Sequence, residues 1–571
     1  MKKSSRLLAV LLAAGMTLSM VACGSKDVVS SETNSKETQQ VTESVATEPE
    51  EDLYYNKEGY PICDEPITIT VSGRQGNTTD WQNTEMVKYI EENLGIKLQC
   101  EPVSNDAFAT QYALMLSTNS MPDLIIQAAV DKGQVNMDGA DGYWLDLSQY
   151  LDIMPNFKAM LEKYPEWAAY QYAEGGAIYG LNRVNPGKMS NANGQIYYNK
   201  ALVEAVYPDP IETIDDFYEA LKAVKAAYPD KIPFSVTFDA APAYRADIIL
   251  RNSFGIHFND NSYMLVTDNN GEVMLGDITD NNREYLKWLN KLYDEGLLDP
   301  NGFIYTQDEY RAKEDGGDFI FWADTALRHT YSAISNNPAD FGIIPALSSD
   351  MEPETTYIYG NGITTNARIF VSAETKYPEA ICRLIDFLCT EEGQYLAFCG
   401  VEGEHFEFVD DGFGNKKVDI KNFADLTNYE SAGKWQQQKV VIYQGMALLW
   451  NFTGNYIDDV DTATLEKMAK DEDPNVAWSA IQKLAIDKVD NQLTAPAPLT
   501  YTAEETEERA TMYTDLVNYL KTSKVSFITG EVDVNDDKAW ENYVNRVGEM
   551  GWNKLKDLEQ AAWDRMAANL K

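Results

Sequence analysis

Between positions 67 and 126, three short apolar stretches alternate with two amphipathic ones, and this alternation restricts the fold more than any other feature of the chain. Ile67-Thr68-Ile69-Thr70-Val71 has the period of two expected of a strand with one buried face. Residues 83–94 place Met86, Val87, Ile90 and Leu94 on one face of a helix, and Gly95 supplies its C-cap. Residues 96–103 read as a second strand and 108–116 as a second helix, and Met121-Pro122-Asp123 then leads into the apolar run Leu124-Ile125-Ile126. Strand, helix, strand, helix, strand at this spacing requires parallel strands joined by right-handed crossovers. Ligands of such sheets gather at the carboxyl ends of the strands, which here are residues 72–81, 103–106 and 127–130.

A second α/β unit follows. Gln195-Ile196-Tyr197-Tyr198-Asn199-Lys200 reads as a strand entering a helix, and Thr213 with Asp216 forms a capping box ahead of Phe217, Leu221 and Val224. Asp268-Asn269-Asn270-Gly271 marks a hairpin, and residues 283–295 form an amphipathic helix. A single long helix is expected over 378–399, and the last 120 or so residues are mainly helical, with an acidic, mobile stretch at 458–474. No internal repeat is visible. A chain of 571 residues has room for two to four domain-sized units.

The charge balance, 47 Lys+Arg against 90 Asp+Glu for a net −43, argues against nucleic acid or anionic lipid as a partner surface. With 11 Trp and 34 Tyr the chain is no disordered polyanion either. Its first residues suggest what holds it. Lys2, Lys3 and Arg6 precede an apolar stretch at 7–21, shorter than the roughly 20 residues that span a bilayer. The stretch ends Leu18-Ser19-Met20-Val21-Ala22-Cys23, which resembles the bacterial lipobox; that resemblance implies cleavage after residue 22 and diacylglycerol on Cys23. Residues 23–64, rich in Ser, Thr, Glu and Gln, then read as a flexible tether. Cys63, Cys100, Cys382, Cys389 and Cys399 are odd in number and lack C-x-x-C spacing, so neither a metal, a cofactor nor an essential disulfide framework is expected. Cys382, Cys389 and Cys399 lie in apolar helical sequence as small hydrophobes.

The order of several segments resembles the extracellular solute-binding proteins of ABC importers, in the family 1, carbohydrate-type class and its large Gram-positive lipoprotein branch. The carriers are Tyr198-Asn199-Lys200, Glu212-Thr213-Ile214-Asp215-Asp216-Phe217, Leu297-Leu298-Asp299-Pro300, Gly317-Asp318-Phe319-Ile320-Phe321-Trp322, Val401-Glu402-Gly403-Glu404-His405 and Pro498-Leu499-Thr500-Tyr501. The resemblance covers residues 65–571. It implies an α/β, two-lobed periplasmic-binding-protein-like fold of type II, each lobe a mixed or parallel sheet flanked by helices, with a hinge and extra C-terminal helices. By segment order, lobe 1 is 66–182 plus 338–402 and lobe 2 is 183–337 plus 403–571. The implied partners are an oligosaccharide or other polar solute, ABC permease subunits, and the membrane through Cys23. The implied protein is a monomer on the extracellular face of the cytoplasmic membrane.

A sugar offers an apolar face for Trp or Tyr and a hydroxyl rim for polar side chains. The aromatics near strand ends or in loops with polar neighbours are Asp80-Trp81, Trp144, Tyr179, Trp322 with Asp324, Tyr359 with Asn361, and Trp450 with Asn451. For each, the competing assignment is a core or surface aromatic. Arg74 at the first strand end is the charged candidate, and His405 a ligand-site or hinge residue. No catalytic residue is assigned. A glycoside hydrolase needs two carboxylates across a cleft, and 90 acids make such a pair easy to imagine and uninformative. The sequence lacks the G-x-S-x-G, H-E-x-x-H and P-loop patterns. Asp533-Val534-Asn535-Asp536-Asp537 begins like a calcium loop but has Lys538 where glycine is needed and Val544 in place of the terminal glutamate. A secreted hydrolase and a peptide-binding importer receptor remain the alternatives to an oligosaccharide receptor.

Overall fold

Strand β1 (Ile67–Arg74) has a parallel neighbour on each side: β2 (Ile96–Val103) along its whole length and β3 (Leu124–Ile126) at its carboxyl end. The computed structural model describes residues 54–192, 194–237, 247–257, 265–268, 270–324, 335, 337–414, 416–442, 445–449 and 457–569. Helix α1 (Glu85–Leu94) connects β1 to β2. Its N-cap Thr84 accepts a hydrogen bond from the Val87 amide, and it buries Met86, Val87, Ile90 and Leu94. Gly95 closes it at φ 70°, where a Cβ would stand 2.0 Å from the Cys63 carbonyl oxygen, so both the turn and the close approach require glycine. Helix α2 (Phe108–Thr118) connects β2 to β3, and α3 (Lys132–Ala140) and α4 (Pro155–Lys163) follow. The body begins earlier than composition suggests. Tyr55, Ile62 and Cys63 are buried in the same core as β1, and Arg383 donates to the carbonyls of Asn56 and Gly59, so residues 54–64 are not tether.

The second sheet runs β7-β4-β6-β5, from β4 (Gln195–Asn199), β5 (Ile232–Ser235), β6 (Phe319–Asp324) and β7 (Phe341–Ile344). Only the β5–β6 pair is parallel. Helix α5 (Ile214–Ala227) starts at the expected capping box, Thr213 accepting from the Asp216 amide and Asp216 accepting from the Thr213 amide. Thr213→Ala is expected to lower stability by about 1 kcal/mol, read as a shift in the urea midpoint at unchanged slope. The hairpin closes on Asp268, which accepts from the Asn270 and Glu272 amides, and α6 (Asp280–Asp294) packs behind it. Segment order assigned 338–402 to the first lobe. The ladder corrects this, because β7 bonds antiparallel to β4 and so belongs to the second sheet, with β8 (Thr356–Tyr359) after it.

The chain crosses between the sheets along a strip where three segments lie side by side. The Leu181 amide donates to the Ile369 carbonyl, Asn185 to Gly362 and Val184 to Leu448. These contacts put the crossings near 183, 362 and 449, where segment order expects 183, 337 and 402. After the second crossing β9 (Phe370–Val371) pairs antiparallel with β3, giving the first sheet the order β9-β3-β1-β2. The expected long helix is two, α7 (Pro378–Phe387) and α8 (Glu391–Phe398), because Thr390 interrupts it by capping α8 through the Gly393 amide. Trp435, Val440, Val441, Ile442 and Met446 are buried in the first core, so the region up to 449 belongs to lobe 1 and not lobe 2.

The acidic stretch at 458–474 is ordered: Asp461 caps a helix at Thr462–Met468 and Asp473 caps another at Pro474–Ile486. Strand β10 (Asn491–Thr494) pairs parallel with β8, and α9 (Ala503–Ile528), α10 (Asp537–Glu549) and α11 (Trp552–Asn569) complete the chain. Asp536 is the N-cap of α10. Leu516, Leu520 and Leu555 reach the second core while Met566 reaches the first, so the terminal helices bind the two halves together. Cys63, Cys382, Cys389 and Cys399 are buried and Cys100 half-buried, all five as free thiols.

Candidate functional site

A cavity of about 460 Å³, lined on one side by the segment that follows β3, has walls from both halves of the molecule. One wall is the segment just beyond β3, with Asp131, Lys132, Gly133 and Asn136, joined by Tyr170 and Thr365; the other is residues 498–501 and the first turns of α9, with Thr506, Arg509 and Tyr513. Asp131 caps α3 by accepting from the Gln134 amide, and Tyr170 donates to the Thr365 carbonyl at 3.0 Å. Gly133 lies beside Thr506, where α3 meets α9.

The α9 wall is fixed from behind. Glu559 of α11, fully buried, accepts from Tyr501 Oη at 2.5 Å and from Arg509 Nε at 2.7 Å. The Arg509 guanidinium lies 3.6 Å from the Tyr513 ring centroid and 4.8 Å from that of Tyr501. Arg565 holds the cap of α9, donating to Glu505 and to the Thr500 carbonyl. The first-lobe wall carries the opposite peculiarity, a buried ammonium. Lys132 is 2% exposed and donates to the carbonyls of Gln171 and Gly180, with no carboxylate in ion-pair range among the described residues. Burial pushes its pKa down to about 7. At the end of β3, Gln127 holds a left-handed backbone (φ 53°) unusual for a side-chain-bearing residue, and its buried Oε1 has no partner among the described residues. Aromatic faces beside fixed amide, hydroxyl, carboxylate and guanidinium groups suit a polyhydroxylated ligand better than an apolar one.

The aromatics singled out from sequence fall elsewhere. Trp81 is fully buried, its Nε1 donating to the Gln75 carbonyl, and Asp80 beside it is an exposed turn residue bonded to Asn83. Trp144 packs between Tyr112 and Phe370. Trp322 packs against Tyr197 and Phe341, with Asp324 buried at the end of the same strand. These indoles offer no face to a ligand; each was drawn into a core by its large apolar area. His405 accepts from the Val401 amide at 3.0 Å, and burial lowers its pKa, which makes it a neutral turn lock. Tyr179 is half-buried against Gly139. Tyr359 and Asn361 line a separate hollow of about 330 Å³ beside the crossing strip, with Lys188 4.7 Å from the Tyr359 ring centroid. Asn361 donates to the Pro496 carbonyl and accepts from the Ile363 amide, so both ends of its amide brace the strip. Trp450, Asn451 and Cys23 lie outside the described residues. Arg74 is the last residue of β1 and, like the other described sequence candidates, is not among the residues lining the cavity of about 460 Å³.

A larger hollow, about 670 Å³, is lined by Tyr60, Tyr89 and residues between 390 and 408 on α8 and its flanks, with no strand end among its lining residues. Its walls from both halves, one of them the segment that follows β3, make the smaller cavity the better site. Tyr501, Arg509 and Tyr513 escaped the sequence reading although Tyr501 sits in a segment already conspicuous there; Asp131 and Lys132 lie just past the strand end at 127–130.

A two-lobed receptor whose ligand site sits at the seam of its halves is the architecture of solute-binding proteins. The chain belongs to the bacterial extracellular solute-binding protein family, whose pattern matches residues 85–402. It is 22% identical to the fructooligosaccharide ABC transporter substrate-binding protein FusA of Streptococcus pneumoniae serotype 4, covering 98% of each chain. It is 23% identical to the lipoprotein LipO of Bacillus subtilis over 61% of this chain and 68% of that one. The structure of FusA in complex with kestose shares its fold, with a TM-score of 0.67 at 20% identity over 88% of this chain and 100% of that one. These relatives are named as binding proteins and lipoproteins, not as enzymes.

Proposed function

We propose that this protein is the lipid-anchored extracellular receptor of an ABC importer, holding an oligosaccharide between its two lobes and presenting it to permease subunits. The observation that carries the reading is the cavity between the two halves, where Tyr501, Arg509 and Tyr513 share a lining with the polar groups of residues 131–136. The Cys23 lipobox motif and the lipoprotein relative support the anchor, and the FusA likeness supports an oligosaccharide over a peptide. A bound ligand bridges both walls and so favours the closed arrangement by its differential contacts, while the three-segment strip absorbs the motion.

The test is tryptophan fluorescence and thermal shift of the chain beginning at Cys23, with Cys23→Ser, against oligosaccharide and peptide panels. One glycan class is expected to give a saturable change and a raised melting temperature. Tyr513→Ala is expected to weaken that binding about 10- to 100-fold with little loss of folding; Tyr501→Ala should weaken it similarly and also cost about 1–3 kcal/mol of stability, because it takes a donor from the buried Glu559. Cleavage of the bound glycan, or a response to peptides alone, would replace the reading.

A further inference from the structure

In a chain with 90 acidic residues against 47 basic ones, an arginine at a strand end without a carboxylate partner calls for an account, and two stand together at the carboxyl end of β3. Arg74 is the last residue of β1, and Arg368 lies two residues before β9, its carbonyl accepting from the Ala128 amide just beyond β3. Because β3 lies between β9 and β1, the two arginines flank its carboxyl end from either side, with Gln127 between them. Among the described residues neither makes an ion pair, and Arg368 Nε is buried without a hydrogen-bond partner. Burial, and then the neighbouring Arg74 charge, push the Arg368 pKa down to about 10, the behaviour of a cation held beside another cation and away from water. The Gln127 Oε1 left without a donor adds an acceptor at the same place. Two unpaired guanidinium groups side by side are costly in the empty protein, and an oxyanion bridging them would relieve the repulsion and fill their donors.

We propose that Arg74 and Arg368 form a subsite for a carboxylate or sulfate group borne by the captured oligosaccharide, with Gln127 accepting from an adjacent hydroxyl. The inference rests on the oligosaccharide reading and narrows it to acidic glycans.

Calorimetric titration of the Cys23→Ser protein tests it with uronate oligosaccharides, their carboxyl-reduced neutral counterparts, sulfated oligosaccharides and neutral fructo-oligosaccharides. An acidic member is expected to bind at least about tenfold tighter than its neutral counterpart, with the preference shrinking as salt is raised. Arg74→Gln and Arg368→Gln are each expected to remove most of that preference, read as the ratio of acidic to neutral affinity within the same variant. Arg368→Gln should melt no lower than the parent, and Arg74→Gln, at the strand end, gives the same test where folding is not at stake. A preference for the sulfated or for the carboxylated probes supports the subsite and identifies its group. Neutral glycans bound as tightly as acidic ones, or affinity for acidic ones unmoved by both substitutions, overturns the subsite and leaves the oligosaccharide reading standing. Silence toward every glycan overturns both.

Discussion

Glu559→Leu is expected to destabilise the protein by about 3–5 kcal/mol and to weaken ligand capture in the same variant. The fully buried carboxylate takes both the hydroxyl of Tyr501 and the guanidinium of Arg509. Its loss strands the Arg509 cation, whose side chain is only 22% exposed, and frees the two groups that shape one wall of the cavity. Glu559→Gln separates the two effects. The amide oxygen still accepts from Tyr501 but the ion pair is gone, so the stability loss should be smaller and the affinity loss larger in proportion. Urea unfolding and ligand titration of both variants decide the matter; wild-type affinity in folded Glu559→Leu would show that the wall does not depend on its brace.

The second large effect is a dependence on pH that Lys132 alone should impose. Its folded pKa of about 7 lies well below the unfolded value near 10.4. Between those values the unfolded chain carries the proton and the folded chain does not, so stability rises as pH rises through the interval. Below pH 7 the full burial penalty, on the order of 4–5 kcal/mol, is present. Wild-type protein should therefore gain about 2 kcal/mol from this group between pH 7 and pH 9, a gain absent in Lys132→Met. Methionine also leaves the Gln171 and Gly180 carbonyls without their donor, but that cost does not vary with pH. Equal pH slopes in the two proteins, from urea midpoints at both values, would contradict the assignment.

Local patterns were legible in the sequence wherever a single helix or turn decides them. The buried face of α1, its glycine cap and the Thr213–Asp216 box form where spacing puts them, since a helix face and a cap involve residues within one or two turns. What spacing cannot reach is which distant segment a strand pairs with. The β7–β4 ladder and the burial of residues 435–446 in the first core moved two lobe boundaries, because both depend on contacts across more than a hundred residues. The candidate cavity was out of reach for the same reason: Asp131 and Tyr501 both line it though 370 positions separate them. Tryptophans near strand ends looked like stacking platforms, yet a period-two pattern does not say whether a residue at a strand's end faces the groove or the helices behind it.

The free thiols bear on how the folded body responds to its redox surroundings. Burial pushes Cys63 up to about 11 and Cys100 and Cys399 up to about 12, so at neutral pH only about one Cys63 in ten thousand is a thiolate. Among the described residues no cross-link holds the fold, and almost no thiolate remains once the core has closed, so the folded body should keep its melting temperature in the presence or absence of a thiol reductant.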